Sequence, residues 1–302
     1  MPPVDNLFYS NNPERVTGPN LRLSEGQVPA GRTRIMAHHL NSSSKPLELR
    51  TRFANTGVDS VELLVRRRGI GVREEAAAVQ AGVQALRDYN GKEQISRIPL
   101  KPGQAYDMPL GVVKPGEVLS YLGEVQCDGA LEVVTASVLE GERLRGANLR
   151  TPPLENGKTL QGKEFRGNGV YAGPDRRELS MINMAPGLLQ QTTIGPNPTE
   201  SPLSTYSGEF GQARHYSLTV GPCAKGQRVV VLGWAGGKEP VAAQTVNGQG
   251  KLNLVPQPGT GREVLVLFQG TVTPGQKVEL EQMVQGGAAT PFRILALPVE
   301  AR

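Results

Sequence analysis

Between Leu47 and Ala54 the chain alternates one for one: Leu47, Leu49, Thr51 and Phe53 against Glu48, Arg50 and Arg52. A period of two puts each set of side chains on its own face, so this run predicts a half-buried β-strand. The turn sequence Asn55-Thr56-Gly57 follows, then the apolar run Val61 to Val65, and the two runs read as a hairpin. Val118 to Gln126 and Leu131 to Leu139 flank Asp128-Gly129. Asp-Gly supplies the positive φ of a type I′ turn, which predicts a second hairpin.

The second half repeats the style. Tyr216, Leu218 and Val220 alternate with His215, Ser217 and Thr219, and Val278 and Leu280 with Glu279 and Glu281. Arg228 to Leu232 and Glu263 to Phe268 read as central strands, and Phe292 to Leu297 as the last one. Turn pairs fall between these runs: Pro102-Gly103, Pro115-Gly116, Asn247-Gly248, Pro258-Gly259 and Pro274-Gly275. Glycine and proline together make about a fifth of the chain. That frequency of turns favours short strands over long helices, and the expected fold class is mainly all-β, as β-sandwiches.

One segment departs from this. Glu74 to Tyr89 carries Val79, Val83 and Leu86 among alanines, with acidic residues at its start and Asn90-Gly91 after it. It predicts one helix, 74–89, inserted in the first domain. The 302 residues suit two domains. From about Gly141 to Ser207 the chain is rich in Gly, Pro, Asn and charge, and Thr151-Pro152-Pro153 within it reads as the junction, so the expected domains are 1–150 and 151–302, with Glu178 to Met184 as a first strand of the second.

The formal net charge is +5, which suits either plain solubility or anionic partners. Cys127 and Cys223 form no metal-binding spacing, and sequence leaves open whether they pair. No apolar run reaches the ~20 residues of a membrane-spanning helix.

Candidate chemistry is sparse. His38 and His39 are adjacent, so on a strand they face opposite ways and cannot share one metal ion without a bulge. No metal site and no cofactor is expected. Arg66-Arg67-Arg68 reads as a strand end, with Arg66 and Arg68 on one face and Arg67 opposed, where they could grip phosphate or carboxylate. No aromatic residue interleaves this run, which argues against nucleic acid. Gly69-Ile70-Gly71 and Gly236-Gly237 match neither phosphate-loop fingerprint, and no G-x-S-x-G elbow occurs. Carboxylate pairs across a cleft are not placed by sequence, so glycoside hydrolysis stays open. Trp234, Tyr206, Phe210 and Tyr216 either fill the second core or stack on sugar rings.

Several stretches resemble a family of uncharacterised secreted bacterial proteins, often labelled after a copper amine oxidase-like domain that is absent here. They are Leu7-Phe8-Tyr9-Ser10, Gly31-Arg32-Thr33-Arg34, His38-His39-Leu40-Asn41, Asn55-Thr56-Gly57, Arg68-Gly69-Ile70-Gly71, Phe165-Arg166-Gly167, Pro174-Asp175-Arg176, Gly208-Glu209-Phe210-Gly211 and Val246-Asn247-Gly248. The resemblance implies an all-β fold and an extracytoplasmic, secreted or envelope-associated place. It implies no catalytic residue.

The expectation is therefore a non-enzymatic cell-surface or envelope protein. Its partner would be a wall polymer, a glycan or another envelope protein. The alternative is a carbohydrate-binding or glycan-active protein that uses Trp234, Tyr206 and Phe210. An acidic ligand would fall to Arg66 and Arg68.

Overall fold

The computed structural model describes residues 6–11, 13–144, 149–151, 168–172, 175–179, 181, 190–194, 215–235, 242–246, 253–254, 265–284 and 292–299. The expected fold class is what it shows: β-strands in four sheets, with one α-helix inserted between strands. The chain forms two units, one of Val4–Gly173 and the other chiefly of Pro174–Thr205 and Glu209–Arg302.

In the first unit the strands are β1 (Asn6–Ser10), β2 (Arg15–Val16), β3 (Leu21–Val28), β4 (Gly31–Asn41), β5 (Leu47–Ala54), β6 (Val61–Glu74), β7 (Ser96–Leu100), β8 (Ala105–Val113), β9 (Glu117–Cys127), β10 (Leu131–Leu139) and β11 (Asn168–Ala172). A seven-stranded sheet runs β11-β1-β4-β9-β6-β7, with β2 beside β4, and a four-stranded sheet runs β3-β10-β5-β8. Between them lies an apolar core of Phe8, Ile35, Ala37, Leu63, Val65, Leu119 and Val125 from one sheet and Leu47, Leu49, Phe53, Leu131 and Val133 from the other. β11 pairs with β1. The first unit therefore reaches Gly173, beyond the junction expected near Thr151.

Both expected hairpins are corrected by the sheet order. β5 and β6 lie in different sheets, and so do β9 and β10. The residues between them carry the chain across the sandwich. Asn55 organises the first crossing from within: its side-chain amide donates to the Asp59 and Leu100 carbonyls, and its oxygen accepts the Gly57 N–H. In the second, Asp128 accepts the Glu62 N–H, and Gly129 is not among the positive-φ glycines. The I′ conformation that would fold β10 back onto β9 is absent. Each crossing places its two strands in different sheets, so their apolar faces meet across the core instead of lying side by side on one face.

The helix is shorter than predicted. Glu74 is the last residue of β6; Glu75–Ala77 form a 3-10 turn, and α1 spans Ala78–Tyr89. Ala81, Gly82, Ala85, Leu86 and Tyr89 are its buried side. It lies on the outer face of the seven-stranded sheet. Gly69 and Gly71 make this possible, since a Cβ would stand 1.9 Å from the Ala85 carbonyl oxygen and 2.0 Å from that of Ala81. These two glycines serve close helix–strand approach.

In the second unit the strands are β12 (Asp175–Leu179), β13 (Gln190–Ile194), β14 (His215–Val220), β15 (Gln227–Ala235), β16 (Ala242–Val246), β17 (Asn253–Leu254), β18 (Leu265–Val272), β19 (Val278–Val284) and β20 (Phe292–Val299). They form sheets ordered β12-β14-β19-β16-β17 and β13-β20-β15-β18. Leu179, Leu218, Val220, Val278 and Leu280 of one face Val229, Val231, Leu267 and Ala296 of the other. β15 is central as expected, but β18 closes the edge of its sheet and leaves Val266 60% exposed. The first strand of the unit comes earlier than Glu178, at Asp175.

Candidate functional site

Polar side chains gather on the outer face of the seven-stranded sheet, beneath and beside α1. Arg32 and Arg34 stand two apart on β4, so they share a face, opposite Gln126 and Glu124 of β9. On that face Glu124 is fully buried. Arg32 Nε donates to Glu124 Oε1 at 2.8 Å, and Arg32 Nη2 meets the same oxygen. Tyr89, at the end of α1, donates its hydroxyl to Glu124 Oε2 at 3.1 Å. Arg34 Nε donates to the Tyr89 oxygen at 3.2 Å, with its guanidinium 5.6 Å from the centre of the Tyr89 ring. Burial raises the Tyr89 pKa above the usual phenol value, against the charge of Arg34, which lowers it.

Arg66 joins the cluster from β6. Its Nε donates to Glu93 at 2.7 Å and lies 3.5 Å from Glu124, and its Nη1 donates to Gln126 at 2.8 Å. Arg67 donates to the Gly91 carbonyl. The expected placing of the arginines is corrected here. β6 continues through them, and its register with β9 shifts between Val65 and Arg67. A bulge sets two successive residues on one face, so Arg66 and Arg67 both reach the segment after α1, while Arg68 is exposed. Arg66 and Arg68 are not brought together.

Both oxygens of the buried Glu124 carboxylate are taken up by donors of the fold, Oε1 by Arg32 and Oε2 by Tyr89. The arrangement holds α1 to the sheet. Breaking it would leave buried charge uncompensated, which costs about 3–5 kcal/mol.

Both histidines of β4 are buried. His39 Nδ1 lies 2.9 Å from the Pro13 carbonyl, and a carbonyl only accepts, so this nitrogen carries the proton. Its Nε2 then accepts from the Ser10 hydroxyl at 2.9 Å. The ring ties the segment from β1 to β2 onto β4. His38 is buried on the opposite face, with Nδ1 unpartnered. Burial pulls both imidazoles down to about 4; the charge of His39 adds to the effect at His38, and the Pro13 bond opposes it at His39. Among the described residues no group of three or more His, Cys, Asp or Glu could hold a metal ion.

Cys127 belongs to the first core and Cys223 to the second, and both are free thiols. The Cys127 S–H donates to the Pro29 carbonyl, and burial, helped by Asp128, pushes its pKa to about 11. Burial raises Cys223 as well. Tyr206 and Phe210 lie outside the described residues. Trp234 stands in β15 opposite Arg293, and its side chain lies outside the described set, as does that of Tyr216.

Sequence reading passed over Glu124, Tyr89, Arg32, Arg34 and Glu93. A signal was present. Glu124 is the one acid inside the run Val118 to Gln126, on a strand flanked on both sides, where an unpaired charge would be prohibitive.

No family model and no curated protein matches the chain. Solved structures give slight similarities. Tripeptidyl peptidase 2 aligns over 91% of this chain and 22% of its own, at 14% identity and a TM-score of 0.21. The CUB1-EGF-CUB2 domains of rat MASP-1 align over 94% and 99%, at 9% identity and a TM-score of 0.22. The CBM22-1-CBM22-2 tandem domain from Paenibacillus barcinonensis Xyn10C aligns over 95% and 78%, at 11% identity and a TM-score of 0.14. The chain thus spans about a fifth of that peptidase's length. Similarities this slight carry no argument. Among the described residues no helix is long and apolar enough to cross a membrane.

Proposed function

We propose that this chain is a non-catalytic binding or structural protein of the cell envelope or cell exterior, built from two β-sandwich modules. One observation carries the non-catalytic part. The buried carboxylate, one buried imidazole and the thiol of the first unit are engaged in holding the fold: Glu124 with Arg32, Arg66 and Tyr89; His39 with Ser10 and Pro13; Cys127 with Pro29. A general base needs an open lone pair facing substrate, and a nucleophilic thiol needs a depressed pKa. These residues have the opposite arrangement. The location rests on the resemblance to secreted bacterial proteins, and the partners that suit it are a wall polymer, a glycan or an envelope protein.

Fractionation of the native host, read with an antibody, tests the location: the protein should sediment with envelope or appear in the medium. Recovery wholly in the cytosol overturns the reading. Sedimentation of purified protein with isolated wall polymer then separates a polymer partner from a protein partner.

A further inference from the structure

β6 is longer than the strand that covers it. β7 pairs with Val61–Val65, and beyond that the Gln94 N–H reaches the Arg66 carbonyl. From Arg67 to Glu74 the strand is paired with β9 on one side, and among the described residues nothing pairs with its other side. An open edge of this length offers a row of N–H and C=O groups for another strand.

The helix does not close this edge. Ala81 and Ala85 sit on Gly71 and Gly69, while Tyr89 reaches Glu124 on β9, so α1 straddles β6 and β9. Its half-buried Gln84 and exposed Asp88 bond to each other. Ile70 is 37% exposed, and Arg68, Arg73 and Glu74 are exposed. The side chains of Arg68 and Glu74 make no hydrogen bond or ion pair among the described residues.

The edge reads Arg68-Gly69-Ile70-Gly71-Val72-Arg73-Glu74, and it complements itself. Two antiparallel copies related by a two-fold axis through Gly71 would set Arg68 opposite Glu74 twice and Ile70 opposite Val72 twice. A two-fold axis normal to the sheet keeps each residue on its own face, so registers shift by two residues at a time. A shift one way opposes Arg67 to Arg73, and a shift the other way opposes Ile70 to Glu74. Like charges directly across a strand pair destabilise it, and opposite charges stabilise it.

We propose that the chain forms a two-fold dimer by antiparallel pairing of the β6 edges over Arg68–Glu74, centred on Gly71.

Sedimentation velocity of the full chain over a concentration series tests this. The wild type should move from monomer to dimer as concentration rises. Arg68→Glu and Glu74→Arg should each weaken the dimer by about tenfold or more, because each places like charges opposite each other twice. The double variant, Arg68→Glu with Glu74→Arg, should restore it. Both side chains are exposed, and circular dichroism checks that each variant is folded. Ile70→Asp gives a second reading, a monomer without any change at the charge pairs. A wild type that stays monomeric throughout, a dimer indifferent to both single changes, or a double variant that fails to recover each overturns the proposal.

Discussion

The two faces of the seven-stranded sheet are built on different principles. Its inner face meets the second sheet through Phe8, Ile35, Ala37, Leu63, Val65, Leu119 and Val125, with no charge among them. Its outer face meets a helix through Arg32, Arg34, Arg66, Glu124 and Tyr89. Apolar packing is non-directional and scales with area, so many combinations of similar volume satisfy it. A buried ionic cluster has only a few geometries that leave no charge stranded. The inner face therefore holds the two sheets together, while the outer face fixes where one helix sits.

This contrast can be broken most strongly at Glu124. Glu124→Ala should lower the unfolding free energy by about 3–5 kcal/mol, because Arg32 and Arg66 lose their buried partner. Ile35→Val on the inner face should cost about 1 kcal/mol. Guanidinium chloride unfolding of both variants, monitored through the first unit, measures the ratio. Equal losses would show that the outer cluster is no more demanding than ordinary packing.

Acid probes the same sheet at its histidines. Both are neutral when folded, at about 4, and titrate near 6.5 when unfolded. The unfolded chain therefore takes up protons first, and stability falls as pH drops from about 6.5 toward about 4, then levels off for these groups. Each contributes up to about 3 kcal/mol over that window. Denaturation midpoints between pH 7 and pH 4 should show the slope, and His38→Phe should reduce it. A slope unchanged by that substitution would move the acid sensitivity elsewhere.

The smallest effect sharpens the comparison. Tyr89→Phe keeps the ring against Arg34 and removes the hydroxyl that bridges Arg34 to Glu124. It should cost about 1–2 kcal/mol, with amide exchange quickening in α1 before it does in β9. Uniform quickening across the sheet would argue that the helix is held by apolar contact instead.

The sequence made the inner face legible and hid most of the outer one. On the facing four-stranded sheet, which completes the same core, alternation at Leu47, Leu49, Thr51 and Phe53 matches four buried residues, because burial on one face of a strand writes itself with a period of two. The strand on either side of Asp128-Gly129 was equally clear, yet the pair reads as a hairpin where the chain in fact changes sheets. Local turn chemistry speaks for a conformation, and tertiary pairing chose another. The arginines failed for a related reason. A bulge at Arg66 adds one residue to one strand alone, and alternation counted along β6 cannot register a displacement defined against β9. The ionic cluster joins β4, β6, β9 and the helix region, from Arg32 to Glu124, and no spacing along the chain encodes such a meeting. The aromatic residues expected to bind sugar, Tyr206, Phe210 and Trp234, lie where the structure gives no account of their side chains.

The two free thiols give the molecule a pair of built-in reporters. Cys127 and Cys223 are its only cysteines, and each sits in the core of a different sandwich. Both thiols are buried, so a thiol reagent reaches each through a local or global opening of its own surroundings, and the two labelling rates follow two separate places in a single unmodified chain. Mass spectrometry of the tagged peptides would thus rank the durability of each half from the inside, without cutting the halves apart.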